Sequence, residues 1–101
     1  PCEPVRAIMI TGPATGAFGE NQTFTAIASP ESASPPIVYT WEAEGQNRTV
    51  THPDGKAADE VTFTWKAPGR YIVSVTGKNI CGADVLAEYV VRITYPRRKS
   101  P

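Results

Sequence analysis

The chain has 101 residues, 41% hydrophobic and 20% charged, with ten basic and ten acidic residues and a formal net charge of zero. That length gives one domain with a modest core, and the composition is that of a folded chain rather than a disordered one. The balanced charge supplies no field that would gather nucleic acid or an anionic membrane, and no apolar run is long enough to span a bilayer. The start at Pro1-Cys2, with no Met and no signal-peptide pattern, is what a segment of a longer protein would show.

Ten prolines and eight glycines punctuate a chain whose threonine, valine and isoleucine content favours many short strands over helices. Taken in order, residues 5–11 read as a strand ended by Gly12-Pro13. Residues 12–21, with three glycines, read as a loop or irregular edge. Residues 22–28 form a strand with Phe24, Ala26 and Ala28 on one face, and the Pro- and Ser-rich stretch 29–36 is a loop. Residues 37–44 form a strand on which Ile37, Tyr39, Trp41 and Ala43 share a face. A short polar edge strand is expected at 48–52, then a turn at Pro53-Asp54-Gly55. Residues 54–60 could hold at most a helical turn.

The second half continues the rhythm. Residues 60–66 form a strand with Val61, Phe63 and Trp65 on one side. Pro68-Gly69 then leads into a strand at 70–78 with Tyr71, Val73 and Val75 alternating inward. An aromatic in that place pins the corner where a sandwich chain changes sheets. Gly77 interrupts this strand and marks a bulge or a close backbone approach. Residues 84–94 form the last strand, with Val85, Ala87, Tyr89, Val91 and Ile93 alternating against Glu88 and Arg92. The fold class expected is all-β, an immunoglobulin-like β-sandwich of about seven antiparallel strands. Residues 1–4 form an N-terminal flank, 5–95 the domain and 96–101 a C-terminal linker. The expected core is Phe24, Tyr39 or Trp41, Phe63, Tyr71, Val73, Val75 and Val91.

Three runs, Tyr39-Thr40-Trp41, "VTFTW" from Val61 to Trp65, and "PGRYIVSVTGKN" from Pro68 to Asn79, resemble the PKD domain, and "TFTA" from Thr23 to Ala26 suits its second strand. The resemblance spans roughly 5–94. The family's Trp-x-Phe-Gly-Asp-Gly run is replaced here by Trp41-Glu42-Ala43-Glu44-Gly45-Gln46, so any role of its aspartate is not expected to carry over. The resemblance implies a non-catalytic module of an extracellular or cell-surface protein, serving as spacer, adhesion element or appendage of a secreted enzyme.

Site chemistry is sparse. In an immunoglobulin-like sandwich the chain start and the turn before the last strand sit at one end, so Cys2 and Cys81 are placed for a bridge if their Cα atoms lie within about 7 Å. Two free thiols are the alternative; a bridge points to an oxidising compartment. Two distant cysteines and one histidine do not make a zinc site. His52 reads as a solvated loop histidine without a nucleophile-elbow partner, and Glu42 and Glu44 as a solvated strand face rather than a catalytic pair. Asp54, Asp59, Glu60 and Asp84 could include a calcium ligand, though turn chemistry accounts for Asp54-Gly55 without one. Asn21-Gln22-Thr23 and Asn47-Arg48-Thr49 match the glycosylation sequon, and Arg97-Arg98-Lys99 is a small basic cluster in the tail.

The leading expectation is a monomeric, non-catalytic extracellular spacer or interaction module. Its partners would be neighbouring domains, another surface protein or a glycan. No cofactor, nucleic acid or membrane insertion is expected. The alternative is a carbohydrate-binding accessory module of a secreted hydrolase, which requires Trp41 or Trp65 to form an exposed platform.

Overall fold

The computed structural model describes residues 2–96. It contains β1 (Ala7–Thr11), β2 (Thr15–Ala17), β3 (Gln22–Ser29), β4 (Ile37–Ala43), β5 (Val50–Gly55), β6 (Ala58–Phe63), β7 (Gly69–Lys78) and β8 (Val85–Thr94). A three-stranded sheet, β1-β3-β6, faces a five-stranded sheet, β2-β8-β7-β4-β5. This is the expected immunoglobulin-like sandwich, with one strand more than expected. Among the described residues no helix is long and apolar enough to cross a membrane. Pro1 and the basic cluster Arg97-Arg98-Lys99 lie outside the described residues.

The extra strand is β2, in the stretch expected as a loop or an irregular edge; it is a short edge strand. Pro13 lacks an N–H, so the chain leaves the β1–β3 ladder at Gly12-Pro13. It crosses to the other sheet, where β2 pairs with β8 in parallel, an exception to the otherwise antiparallel pairing. The Arg92 N–H donates to Ala14 O at 2.9 Å and fixes the crossing.

Strand β5 also departs from expectation. It runs through Pro53-Asp54-Gly55, which was expected to turn, and it starts later, at Val50. Proline is tolerated because β5 is an edge strand. Two steps of β4, Ile37 to Tyr39, face three steps of β5, Gly55 to His52, so the extra residue lies on β5 within Pro53-Asp54. Of the two readings of Gly77, a bulge or a close approach, the structure has the second. Gly77 pairs in register with both Tyr39 and Val85, and a Cβ there would strike Cδ1 of Ile8 on the facing sheet. Residues 58 and 59, assigned at most to a helical turn, open β6, which ends at Phe63 rather than 66.

Both Tyr39 and Trp41 are fully buried, together with Phe24, Phe63, Val73, Val75 and Val91. Trp65, beyond the end of β6, is 1% exposed. Phe24 meets Trp65 edge-on at 6.1 Å, and Tyr89 at 5.9 Å. Each such side chain contributes about 1.5–3 kcal/mol of burial. Tyr71 departs from the expected core: it is half-buried at the rim, because it is a corner residue. Its ring stacks on Trp65 at 5.3 Å, and its hydroxyl donates to Ala67 O at 2.9 Å, four residues back across the turn. The Trp65 indole N–H donates to Glu44 O at 2.7 Å, which ties this corner to the end of β4.

Gly45 completes the corner. Its φ is +81°, and a Cβ there would lie 2.9 Å from both Trp65 Cδ1 and Tyr71 Cε1. Gly19 has a similar φ of +83° but no atom within 4 Å of its Cβ position. Gly45→Ala is expected to cost roughly 2–4 kcal/mol, backbone strain plus a disrupted stack, while Gly19→Ala costs about 1 kcal/mol. Urea denaturation of the two variants checks this; equal losses would show that the stack does not constrain position 45.

Candidate functional site

Three segments converge at one end of the sandwich: the residues before β1, the β3–β4 loop and the β7–β8 turn. Along β7 the inward positions run Tyr71, Val73, Val75, Gly77, and the same alternation delivers Asn79 inward as the strand ends. Asn79 is 4% exposed. Its Nδ2 donates to Glu3 O at 2.8 Å and Ser34 O at 3.0 Å, and its Oδ1 accepts the Cys81 N–H at 3.1 Å. Glu3 and Ser34 add two reciprocal bonds: Glu3 N–H to Ser34 Oγ and Ser34 N–H to Glu3 O, each 2.9 Å.

Beside this amide, Cys2 is bonded to Cys81 with their Cα atoms 5.5 Å apart. The bridge joins residues 79 apart in sequence, and the loop-entropy account gives it roughly 4–5 kcal/mol. A Cβ on Gly82 would fall 2.8 Å from Cβ of Pro4, so the turn and the N-terminal segment touch closely here.

A second polar cluster lies on the open side of the sandwich, where β5 and β6 face each other. Asp59 is the first inward residue of β6, two before Val61. Its Oδ2 accepts the indole N–H of Trp41 at 2.8 Å and lies 2.6 Å from Nδ1 of His52. The carboxylate therefore satisfies a donor on a fully buried ring. His52 is a partly exposed β5 residue rather than the solvated loop histidine expected, paired with Tyr39 across the ladder. The Tyr39 hydroxyl donates to Lys56 O. Burial, and second the charge of Asp59, push the Tyr39 phenol up to about 12.

This group has an orienting carboxylate beside a histidine but lacks the rest of a nucleophilic site. Neither cysteine can serve as its nucleophile, because Cys81 is locked to Cys2 at the clamped end. The arrangement closes the side of the sandwich.

The other candidate residues are scattered. Trp41 and Trp65 are 0% and 1% exposed, so the aromatic platform that the carbohydrate-binding alternative requires is not formed by either. Glu42 is exposed on the outer face of β4; the nearby Glu44 accepts the Ile72 N–H at 2.8 Å as β4 ends. With Glu88 they rim a shallow, open depression around Ile72 and Ser74. Asp84 lies 3.8 Å from Lys78, and Asp54 and Glu60 are exposed. Among the described residues no group of three His, Cys, Asp or Glu side chains is placed to hold a metal ion. Asn21 and Asn47, the sequon residues, are both exposed at the end opposite the bridge, where Asn21 Oδ1 accepts the Thr64 hydroxyl at 2.7 Å.

Two outcomes follow from the side cluster. Asp59→Ala leaves the buried indole N–H of Trp41 without an acceptor and is expected to cost about 1–3 kcal/mol in urea denaturation, with Asp59→Asn costing less because an amide oxygen remains. The phenol of an unfolded chain ionises near pH 10, below the folded value for Tyr39. Stability from the buried neutral phenol is therefore fully present below pH 10 and lost as pH rises toward 12. The loss is on the order of 2–3 kcal/mol. Tyr39→Phe is expected to flatten the alkaline limb of a stability-against-pH curve over that window; an unchanged slope would assign it to other groups.

The family model for the PKD domain matches residues 7–92. Among solved structures, the chain is similar to the PKD domain of an M14-like peptidase from Thermoplasmatales archaeon SCGC AB-540-F20, with a TM-score of 0.69 and 23% identity over 96% of this chain and 100% of that one. It is also similar to the CARDB domain of the PF1109 protein from Pyrococcus furiosus, solved in complex with di-metal ions. There the TM-score is 0.63 and the identity 13%, over 93% of this chain and 96% of that one. A superoxide reductase (neelaredoxin) from Ignicoccus hospitalis aligns at a TM-score of 0.60 and 14% identity, over 90% and 83%. At these identities the structural likenesses show the fold alone. A search of curated proteins returns no match. The family match covers nearly the whole β-sandwich, and the chain belongs to the PKD domain family.

Proposed function

We propose that this domain is a rigid, non-catalytic spacer within a larger extracellular protein. PKD domains are in general non-catalytic modules of larger proteins and usually extracellular, and the Cys2–Cys81 bridge suits an oxidising compartment. The carrying observation is the direction of the chain. It enters at the clamped end, where Cys2 and Glu3 meet Asn79 and Cys81. It leaves at the other end, where Thr94 follows the Ile93–Gly69 pair. The ten residues of β7 separate the two ends by about 33 Å.

Both ends are built to hold direction. The incoming segment is fixed by the disulfide and the Asn79 bonds. The outgoing one is fixed by the β2–β8 pairing and by Tyr95, which packs edge-on against Phe18 at 5.4 Å. Exposed apolar side chains on the sheet faces include the cross-strand pairs Met9 with Ile27 and Ile72 with Val90, and Leu86 opposite Thr76. The likeness to a domain of an M14-like peptidase is compatible with a place beside an enzyme.

Small-angle scattering of this domain with a folded protein fused at each end tests the reading. The expected result is two resolved masses held at one fixed separation on opposite sides of the domain. A compact side-by-side arrangement, or the broad distance distribution of a flexible linker, would refute it.

A further inference from the structure

We propose that the Cys2–Cys81 bridge makes this domain an inextensible link under tension, with β8 as its load-bearing strand. The inference rests on the spacer reading for the source of the load, since neighbours on both sides are what would pull. The covalent path sets where the load runs. Tension applied before Cys2 crosses the disulfide to Cys81, passes through residues 82–84 and runs along β8 to Thr94. The intervening strands, β1 to β7, lie inside the closed loop and carry none of it.

The geometry along that path is already extended. β8 is a ten-residue strand whose two ends lie at opposite ends of the sandwich. Pulling on both its ends tightens it along its own axis instead of sliding one strand past another. The slack is confined to the short turn before β8 and amounts to on the order of 10 Å. The loop that the bridge removes from the path is far longer: 79 residue steps, or about 280 Å of extended chain.

Reduction reroutes the force. A dithiol supplies two electrons and two protons, the Cys2–Cys81 bond becomes two thiols, and the dithiol closes to its own disulfide. Tension then enters through Glu3 and the Asn79 bonds to β1, whose antiparallel partner β3 resists by shear. Once that ladder fails, the whole sandwich can unravel.

The test is single-molecule pulling of the domain between two handles attached beyond its termini. The same oxidised molecule is pulled before and after adding dithiothreitol, and a Cys2→Ser variant is pulled beside it. The oxidised domain is expected to show no release of more than about 10 Å, and both the reduced and the variant domain a release of about 280 Å. If either fails to stay folded without the bridge, the same length appears at near-zero force, and the result still supports the proposal. A long release from the oxidised molecule overturns it, as does the absence of a long release after reduction. The outcome is independent of the scattering experiment: a domain that proved a poor spacer would still show the difference in length.

Discussion

The ladder between β7 and β8 sets the length and direction of the molecule. It runs unbroken from the Gly69–Ile93 pair to the Gly77–Val85 pair, so the two strands form one straight ribbon. β4 is added to one side of that ribbon and β2 to the other. The inward side chains Val73, Val75, Val91 and Ile93 form the floor on which the second sheet rests. Alternation along these strands decides both what is buried and where each strand delivers its last inward side chain. β7 therefore ends in an amide that organises one end of the domain and begins at a tyrosine that organises the other.

The two ends use different chemistry. At the clamped end the closing contacts are polar and covalent, with Asn79 serving three backbone groups beside a disulfide. At the far end they are aromatic: Trp65 lies against Tyr71, with Gly45 leaving room for both rings. The side between β5 and β6 has a third solution, a carboxylate shared by a buried indole and a half-exposed imidazole. A small sandwich has little core to spare, and these three closures seal its two ends and one side.

Much of the fold was legible because period-two alternation is a strong local signal. Phe24, Trp41, Phe63 and Val73 are buried as their alternation implies. The same signal extends further than was read. Asp59 shares parity with Val61, Phe63 and Trp65, and Asn79 shares parity with Val73 and Val75, so both polar residues were marked as inward. Neither lies within an expected strand: Asp59 falls in the stretch expected to hold at most a helical turn or a calcium ligand, and Asn79 falls just past the expected strand end at 78. Short Thr15–Ala17 gave no alternation to detect, and it exists only because β8 offers it an edge. Pro53 argued against a strand on local grounds, and that rule fails on an edge where no neighbour needs the missing donor. Which residue Asp59 would meet depends on how two sheets face each other, and no local pattern carries that.

The proline in β5 has a consequence for crowding. Exposed sheet margins are templates onto which stray strands of other molecules can add, and fibril growth begins in that way. At position 53 the margin of β5 offers no amide hydrogen, so an invading strand would find its ladder interrupted midway. The opposite margin of the same sheet is the three-residue β2, too short to nucleate such growth. Both margins of the five-stranded sheet are therefore poor templates for a neighbouring copy.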